Sequence, residues 1–423
     1  MKINIGKFIM SEAVSHTPKV NVHILTWLLA ACSMIGPFAT DMYMPSFHEM
    51  TEVFGVSLEA VQQTLSSYLA GFALMTLFYG TISDIIGRKT TMVAGFALFA
   101  ISSIGAASAP NLDWLIFFRF CEGLFAGCGM VVGMAVIRDL YGGVQAQKLM
   151  AYVAMVFGFG PAIAPVLGGY FAKHLGWHSH FVALTAISVI LAVLCLIFLP
   201  ESLPKEKRTP VSLSVLTAGY KRTLTHKAFQ IGNLALALCF LGQGVFIAGA
   251  ADWCVNVVGL AVDQFWMLFT PMIAGTVIGS WASTRLAGKF GTAMTIRIGF
   301  MVLATAAAFS VFAILTPLMH EMPLAVLPLF VYTIGIGIVR PGMSLILMDF
   351  FPKSRGMASS VQNFMQTVFF ALCSAVVVPF LYGSGNLYWA ALIVFGLSTI
   401  GLWMIVNLLR LKEHNEVVAD RSI

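Results

Sequence analysis

Twelve apolar stretches, each close to the length of a bilayer-crossing helix, constrain this chain more than any other feature. They fall near 24–44, 61–82, 91–109, 114–137, 149–172, 181–199, 230–254, 262–283, 294–316, 324–347, 357–381 and 387–409. About 20 residues of helix span the ~30 Å of hydrocarbon in a membrane. Lipid offers no hydrogen-bond partners, so a spanning backbone has to satisfy its own polar groups. Composition agrees: 59% of the 423 residues are apolar and 10% are charged, against roughly 45–50% and about 25% in soluble domains. So few charges cannot cover the surface of a soluble protein of this size. The expected fold class is all-α and integral to the membrane.

The basic residues give the orientation. Of the 24 Lys and Arg, all but Arg119, Lys173 and Arg340 fall in the segments that lie on one side if the spans alternate. That asymmetry puts both termini in the cytoplasm, and it accounts for most of the net charge of +6. The cations are scattered over separate segments, so no nucleic-acid partner is expected. Residues 1–21 are polar and the first apolar run lacks a small-residue cleavage site, so no cleavable signal peptide is expected, and Met10 is an alternative start. The seven cysteines lie within the predicted spans without a CxxC pair; they read as small core hydrophobes.

One polar interruption divides the chain. Residues 200–229 carry Pro200, Pro204 and Pro210 and a cluster of cations. The domain organisation expected is a six-helix bundle over 1–199, a cytoplasmic linker over 200–229, and a second six-helix bundle with a short tail over 230–423. Halves of this kind occur in transporters built from repeats. Faint repetition is visible, since Asp139-Leu-Tyr ends the fourth span as Asp349-Phe-Phe ends the tenth. The loop beginning at Gly80 has a degraded counterpart at Gly279, which keeps Arg285 and Lys289.

Four segments carry candidate chemistry. After the second span stands Gly80-Thr-Ile-Ser-Asp84-Ile-Ile-Gly87-Arg88-Lys89. Gly87 allows a tight turn, and Asp84 and Arg88 can pair with charges or helix ends at the cytoplasmic face. In the fourth span, Arg119 and Glu122 are three residues apart on one helix face and can pair. An Arg inside a span costs roughly 2.5–3.5 kcal/mol on insertion scales, so Arg119 either faces protein or water, or snorkels to the interface. The fifth span reads Gly158-Phe-Gly160-Pro161-Ala-Ile-Ala164-Pro165-Val-Leu-Gly168-Gly169. Its prolines each remove a backbone donor, and its glycines permit close helix contact. The first span ends Ala39-Thr40-Asp41-Met42-Tyr43-Met44-Pro45; alone, Asp41 reads as a helix-end charge in water. Arg340, within the tenth span, either lines a cavity or snorkels.

Together these segments resemble the major facilitator superfamily. The spacing G-x-x-x-D-x-x-G-R-K is that family's loop signature, and R-x-x-x-G from Arg119 to Gly123 resembles its fourth-helix motif. G-P-x-x-A-P-x-x-G-G resembles the antiporter motif of drug-exporting members. T-D-M-Y-x-P at Thr40–Pro45, with Asp349-Phe-Phe-Pro352 and Gly356-Met-Ala-Ser-Ser360, resembles the Bcr/CflA group of drug:proton antiporters. The likeness runs from about residue 24 to 409 and is weakest in spans seven to nine.

The resemblance implies two six-helix bundles around a central cavity and proton-coupled efflux of small, largely apolar compounds or antibiotics across a bacterial inner membrane. It implies proton coupling at Asp41, Arg119 and Glu122, a conformational latch at Gly80, Asp84, Gly87, Arg88 and Lys89, and an antiporter motif at Gly160, Pro161, Pro165, Gly168 and Gly169. Tyr43 and Arg340 are candidate cavity residues, with Asp252 a further carboxylate to consider. No enzyme activity, cofactor or metal is implied; the partners are a small-molecule substrate, protons and the bilayer, with the chain acting as a monomer. Two rivals stand beside this reading: a dedicated exporter of one metabolite such as a siderophore, sugar or nucleoside, and a non-transporting membrane sensor or enzyme. The second would need a cluster of ligands. His174, His178 and His180 come together without an acid and read as an exposed loop.

Overall fold

The computed structural model describes residues 21–141, 143–208, 221, 223–316, 321–351 and 355–420. Lys2, Lys7, Met10, Lys19, Pro210, Arg222, Pro352, Lys353 and Arg421 fall outside them. Among the described residues the secondary structure is helical, and 10 helices are long and apolar enough to cross a bilayer.

The remaining two spans follow from breaks in the backbone. Leu58–Thr76 and Tyr79–Ile86 form one span bent by 52°. The helical stretch Trp266–Leu315 has 50 residues. Straight, it would be about 75 Å long, more than twice the ~30 Å of hydrocarbon. Its backbone leaves helical geometry at Gly291, with φ 77 and ψ 167, a conformation that suits glycine. The eighth and ninth spans meet there, and twelve spans result.

In order, the first span is Val22–Asp41, extended through the turn Met44–Ser46 into Phe47–Phe54. The third is Arg88–Ala107 and the fourth Leu112–Ala126 with Cys128–Leu140. The fifth is Gly143–His174, the sixth His178–Phe198 and the seventh Lys227–Ala248, which runs on through Ala250–Asp252 into Trp253–Val257. The tenth is Leu327–Met348, the eleventh Arg355–Leu372 continued to Leu381, and the twelfth Gly385–Asp420.

Local chemistry sets the starts. Asn21, Ser57 and Asn111 each accept a backbone N–H in the first turn of the helix that follows, which satisfies donors the helix cannot. Burial then sorts the spans. The most apolar stretch of the seventh is 72% buried and those of the fourth and tenth 61%, whereas the sixth and twelfth are 28% buried. The sixth and twelfth therefore face lipid, with Leu196, Ile197, Val394 and Leu408 exposed.

Small residues let the inner spans touch backbone to backbone. A Cβ on Gly123 would collide with the carbonyl of Tyr68, and one on Gly71 with the carbonyl of Phe120. That joins the second and fourth spans. The same device joins the eighth and tenth, where Gly279 meets the carbonyl of Ile334 and Gly337 meets that of Thr276. Packing thus repeats between the first six and last six spans where the sequence barely does.

Candidate functional site

Three spans converge on Arg119. Its side chain is fully buried, so it faces protein and does not snorkel. Nη1 donates to Oε2 of Glu122 at 2.5 Å, and Nη2 donates to the carbonyl of Ala39 at 2.9 Å. The guanidinium carbon lies 4.3 Å from the ring centre of Tyr43 and 4.4 Å from that of Tyr68. Ring faces attract cations, and more so away from water. Glu122 is also fully buried, and its other oxygen accepts from the hydroxyl of Ser103 in the third span. Arg119 and Glu122 are a neutral pair held by tyrosines and a serine from neighbouring spans.

Asp41 lies two residues beyond the carbonyl that Arg119 holds. It is 3% exposed, so it is not a charge in water at a helix end. Among the described residues no cation lies within ion-pair range of it. Asp252, also buried, is different: it accepts from Asn256 Nδ2 at 2.8 Å, from the Gly383 N–H at 3.0 Å and from the Tyr388 hydroxyl at 3.1 Å. Those bonds tie the end of the seventh span to the turn before the twelfth, a structural task.

Tyr43 is buried without exposure. Its hydroxyl pairs with Thr64 Oγ1 at 3.0 Å and its ring packs on Phe47 and Phe181. Arg340 borders a cavity of about 220 Å³ lined also by Thr276, Ser280, Pro341 and Ser344. The lining comes from the eighth and tenth spans.

The loop after the second span forms a charged knot. Arg88 donates from Nη2 to Asp84 at 2.6 Å and from Nε to Asp139 at 2.9 Å, and its backbone N–H donates to Glu201 Oε1 at 2.9 Å. Gly87, at φ 103, lies against Glu201 and Arg208. Ser202 donates to Asp139 at 3.0 Å. Gly80 is exposed and Lys89 half-buried. Asp139 and Glu201 enter this site unforeseen as partners. Asp139 was visible only as the acid ending the fourth span, and nothing in the spacing joins Glu201 to Arg88.

The fifth-span motif works as a packing surface. The helix is continuous through Pro161 and Pro165. A Cβ on Gly160 would meet Pro37, and one on Gly168 would meet the carbonyl of Met42, both in the first span. Gly169 abuts the backbone of Val262 and Asp263, in the short turn Val262–Gln264 that leads into the eighth span.

That last contact is one of several joining the first six spans to the last six. Lys173 pairs with Asp263 at 2.6 Å, and His48 bonds Asn256 at 3.3 Å. Gln62 Nε2 donates to Ser374 at 2.8 Å, Ser66 donates to Ser374 at 3.0 Å, and the Tyr382 hydroxyl donates to Gln62 at 3.1 Å. They lie at the ends of the spans far from residues 199–208, and they join the two sets of spans there.

The histidine expectation needs correcting. His180 opens the sixth span and is fully buried, with Nε2 on Ser46 Oγ at 2.8 Å; it is not in an exposed loop. Among the described residues no group of three His, Cys, Asp or Glu converges.

Twelve apolar spans around a buried charged pair and a second buried acid with no counter-ion are the architecture of a membrane transporter. Residues 29–373 match the Major Facilitator Superfamily, and the chain belongs to that family. It is 30% identical over 281 residues to a bicyclomycin resistance protein homolog of Haemophilus influenzae, covering 66% of this chain and 70% of that one. It is 26% identical to the chloramphenicol resistance protein CraA of Acinetobacter baumannii, over 90% of this chain and 91% of that one. It is 24% identical to the multidrug transporter MdfA of Edwardsiella piscicida, over 96% and 98%. Such relatives place it in the Bcr/CflA group. Among solved structures, the D-xylose–proton symporter superimposes with a TM-score of 0.70 at 17% identity, covering 89% of this chain and 97% of that one. A bacterial homolog of the lysosomal transporter Spinster gives 0.72 at 16%, over 91% and 96%.

Proposed function

We propose that this protein exports small, largely apolar organic compounds, antibiotics among them, in exchange for protons, from the inner membrane of a bacterium. The observation that carries the reading is Asp41. Arg119 and Glu122 neutralise each other, so the charge of the cluster is set by whether Asp41 holds a proton. Burying an ionised carboxylate without a counter-ion is costly, and a protein can lower that cost by changing shape. Protonation then shifts the balance between states, and by reciprocity substrate and proton oppose each other at the site. The names of the relatives, with bicyclomycin, chloramphenicol and multiple drugs in them, support export of antibiotics.

On this reading residues 1–199 and 230–423 are two bundles acting as a monomer, with 200–229 as a cytoplasmic linker. The far end, where the two sets of spans are bonded together, faces outside. Impermeant thiol labelling checks the orientation: Leu175→Cys should react in intact cells and Lys205→Cys only after lysis.

The deciding experiment is a growth screen of overexpressing cells against varied toxic compounds, followed by accumulation measurements with and without an uncoupler. Protection against several unrelated compounds, lost with the uncoupler, is expected. Protection against one metabolite alone would mean a dedicated exporter, and protection that survives uncoupling would remove the proton.

A further inference from the structure

The buried arginines of the first six spans have carboxylate partners; the half-buried arginine of the tenth does not. Arg119 has Glu122, and Arg88 has Asp84 and Asp139. Among the described residues Arg340 has no acid within ion-pair range. Its Nη2 donates to Oε1 of Gln366, in the eleventh span, at 2.6 Å. Its guanidinium carbon sits 5.2 Å from the ring centre of Phe240, in the seventh. Nε and Nη1 make no hydrogen bond to described residues. Gln366 is itself 6% exposed, and its Nε2 is buried without a partner. Donors therefore exceed acceptors around this side chain, and Arg340 borders the cavity of about 220 Å³.

A cation held within a span calls for a partner. A guanidinium matches a planar oxyanion with two parallel hydrogen bonds, and the buried, unpartnered Nε2 of Gln366 beside it is of a kind rare in native structures. Phe240 and Gln366 hold it from behind, so its remaining N–H groups are pre-oriented. The cavity is smaller than the ~300–1,000 Å³ that encloses a whole drug-sized ligand, and so suits one end of a substrate.

We propose that this cavity is a subsite for the carboxylate, or a like oxyanion, of an amphipathic organic substrate, with Arg340 as its counter-ion. The inference rests on the export reading in one respect only, that substrate reaches this face of the eighth and tenth spans.

The test uses the purified full-length protein and two probes sharing one ring system, 1-naphthoate and its neutral amide 1-naphthamide. Equilibrium dialysis should give about tenfold tighter binding of naphthoate to the wild type, a difference of about 1.4 kcal/mol. Arg340→Gln should bring the two probes within about threefold of each other, and Arg340→Lys should keep part of the preference. A wild type without preference, or a preference that survives Arg340→Gln, overturns the proposal. Should Arg340→Gln fail to fold, Ser280→Cys serves instead: naphthoate, and not naphthamide, should slow its reaction with N-ethylmaleimide. Equal slowing or none overturns it. Dialysis needs no gradient, so a protein that binds naphthoate through Arg340 yet protects no cell keeps the subsite and loses the export reading.

Discussion

Arg119, Glu122 and Asp41 are all buried, but burial asks different things of them. Glu122 is the counter-ion of Arg119, and removing one member of a buried pair leaves the other uncompensated, at about 3–5 kcal/mol. Glu122→Gln should therefore lower the unfolding temperature in detergent markedly. Asp41 has no cation to abandon, so Asp41→Asn should leave that temperature unchanged or raise it. Function should divide the other way. Adding substrate to acid-loaded vesicles should release protons from the wild type and from any folded Glu122→Gln, and not from Asp41→Asn. Normal release from Asp41→Asn would move the coupling elsewhere. Asp252 is a poor substitute, because its Asn256, Gly383 and Tyr388 bonds occupy it fully in holding two elements together.

At the scale of elements, the glycines of the fifth span do unequal work. Gly168 lies against the Met42 carbonyl, one residue from Asp41, and a methyl there has no room. Gly168→Ala should destabilise the fold by about 1–3 kcal/mol, the usual cost of overpacking, and should also disturb transport by shifting the end of the first span. Gly158 has nothing within reach of a Cβ; Gly158→Ala should be silent or stabilising by about 0.5–1 kcal/mol. Thermal unfolding of the two variants side by side checks this, and equal losses would mean the motif is not a packing surface. Sequence alone could not separate these glycines, since what distinguishes them is the neighbouring helix. The same limit applies to the charged sites. Arg119 and Glu122 were legible as a pair because helical periodicity puts them on one face. Tyr68 and Ser103 were not, because they arrive from other spans. The membrane-crossing parts of the spans were readable, because hydrocarbon thickness fixes their length; the helical extensions Phe47–Phe54 and the end of Gly385–Asp420 lie beyond them and were not. The break at Gly291 was readable too, as the gap between two apolar runs. Arg88 illustrates the middle case: that it and Asp84 would pair with charges at this face was legible, but their pairing with each other and the parts of Asp139 and Glu201 required the fold. With those partners remaining, Asp84→Asn should leave the protein in the membrane and substrate binding nearly intact, while slowing transport. Unchanged transport would reduce Asp84 to a topology charge.

For the whole molecule, the contacts between the first six spans and the last six define what has to move. At the far end Ser374 accepts from Gln62 and from Ser66, Tyr382 donates to Gln62, and Lys173 pairs with Asp263. These bonds are short and polar, several of them neutral, and each contributes about 0.5–1.5 kcal/mol net. That is strong enough in sum to hold one state and weak enough to break in each cycle, as the proposed exchange of access between the two sides requires. Lys173–Asp263 is exposed, and exposed pairs are worth little and are screened by salt, so the buried serines and glutamine should carry most of the closure. Ser66 and Ser374 have their oxygens 3.0 Å apart, near enough for a disulfide after modest adjustment. Ser66→Cys with Ser374→Cys should therefore form one on mild oxidation and lock the far end shut. Transport should stop, and return when the bond is reduced, while each single variant transports throughout. Access from the linker end should survive the lock, seen as unimpaired binding of a test compound by the oxidised protein in detergent. If the oxidised double variant still carries substrate across vesicle membranes, the far end does not need to open, and alternating access between these two sets of spans is wrong.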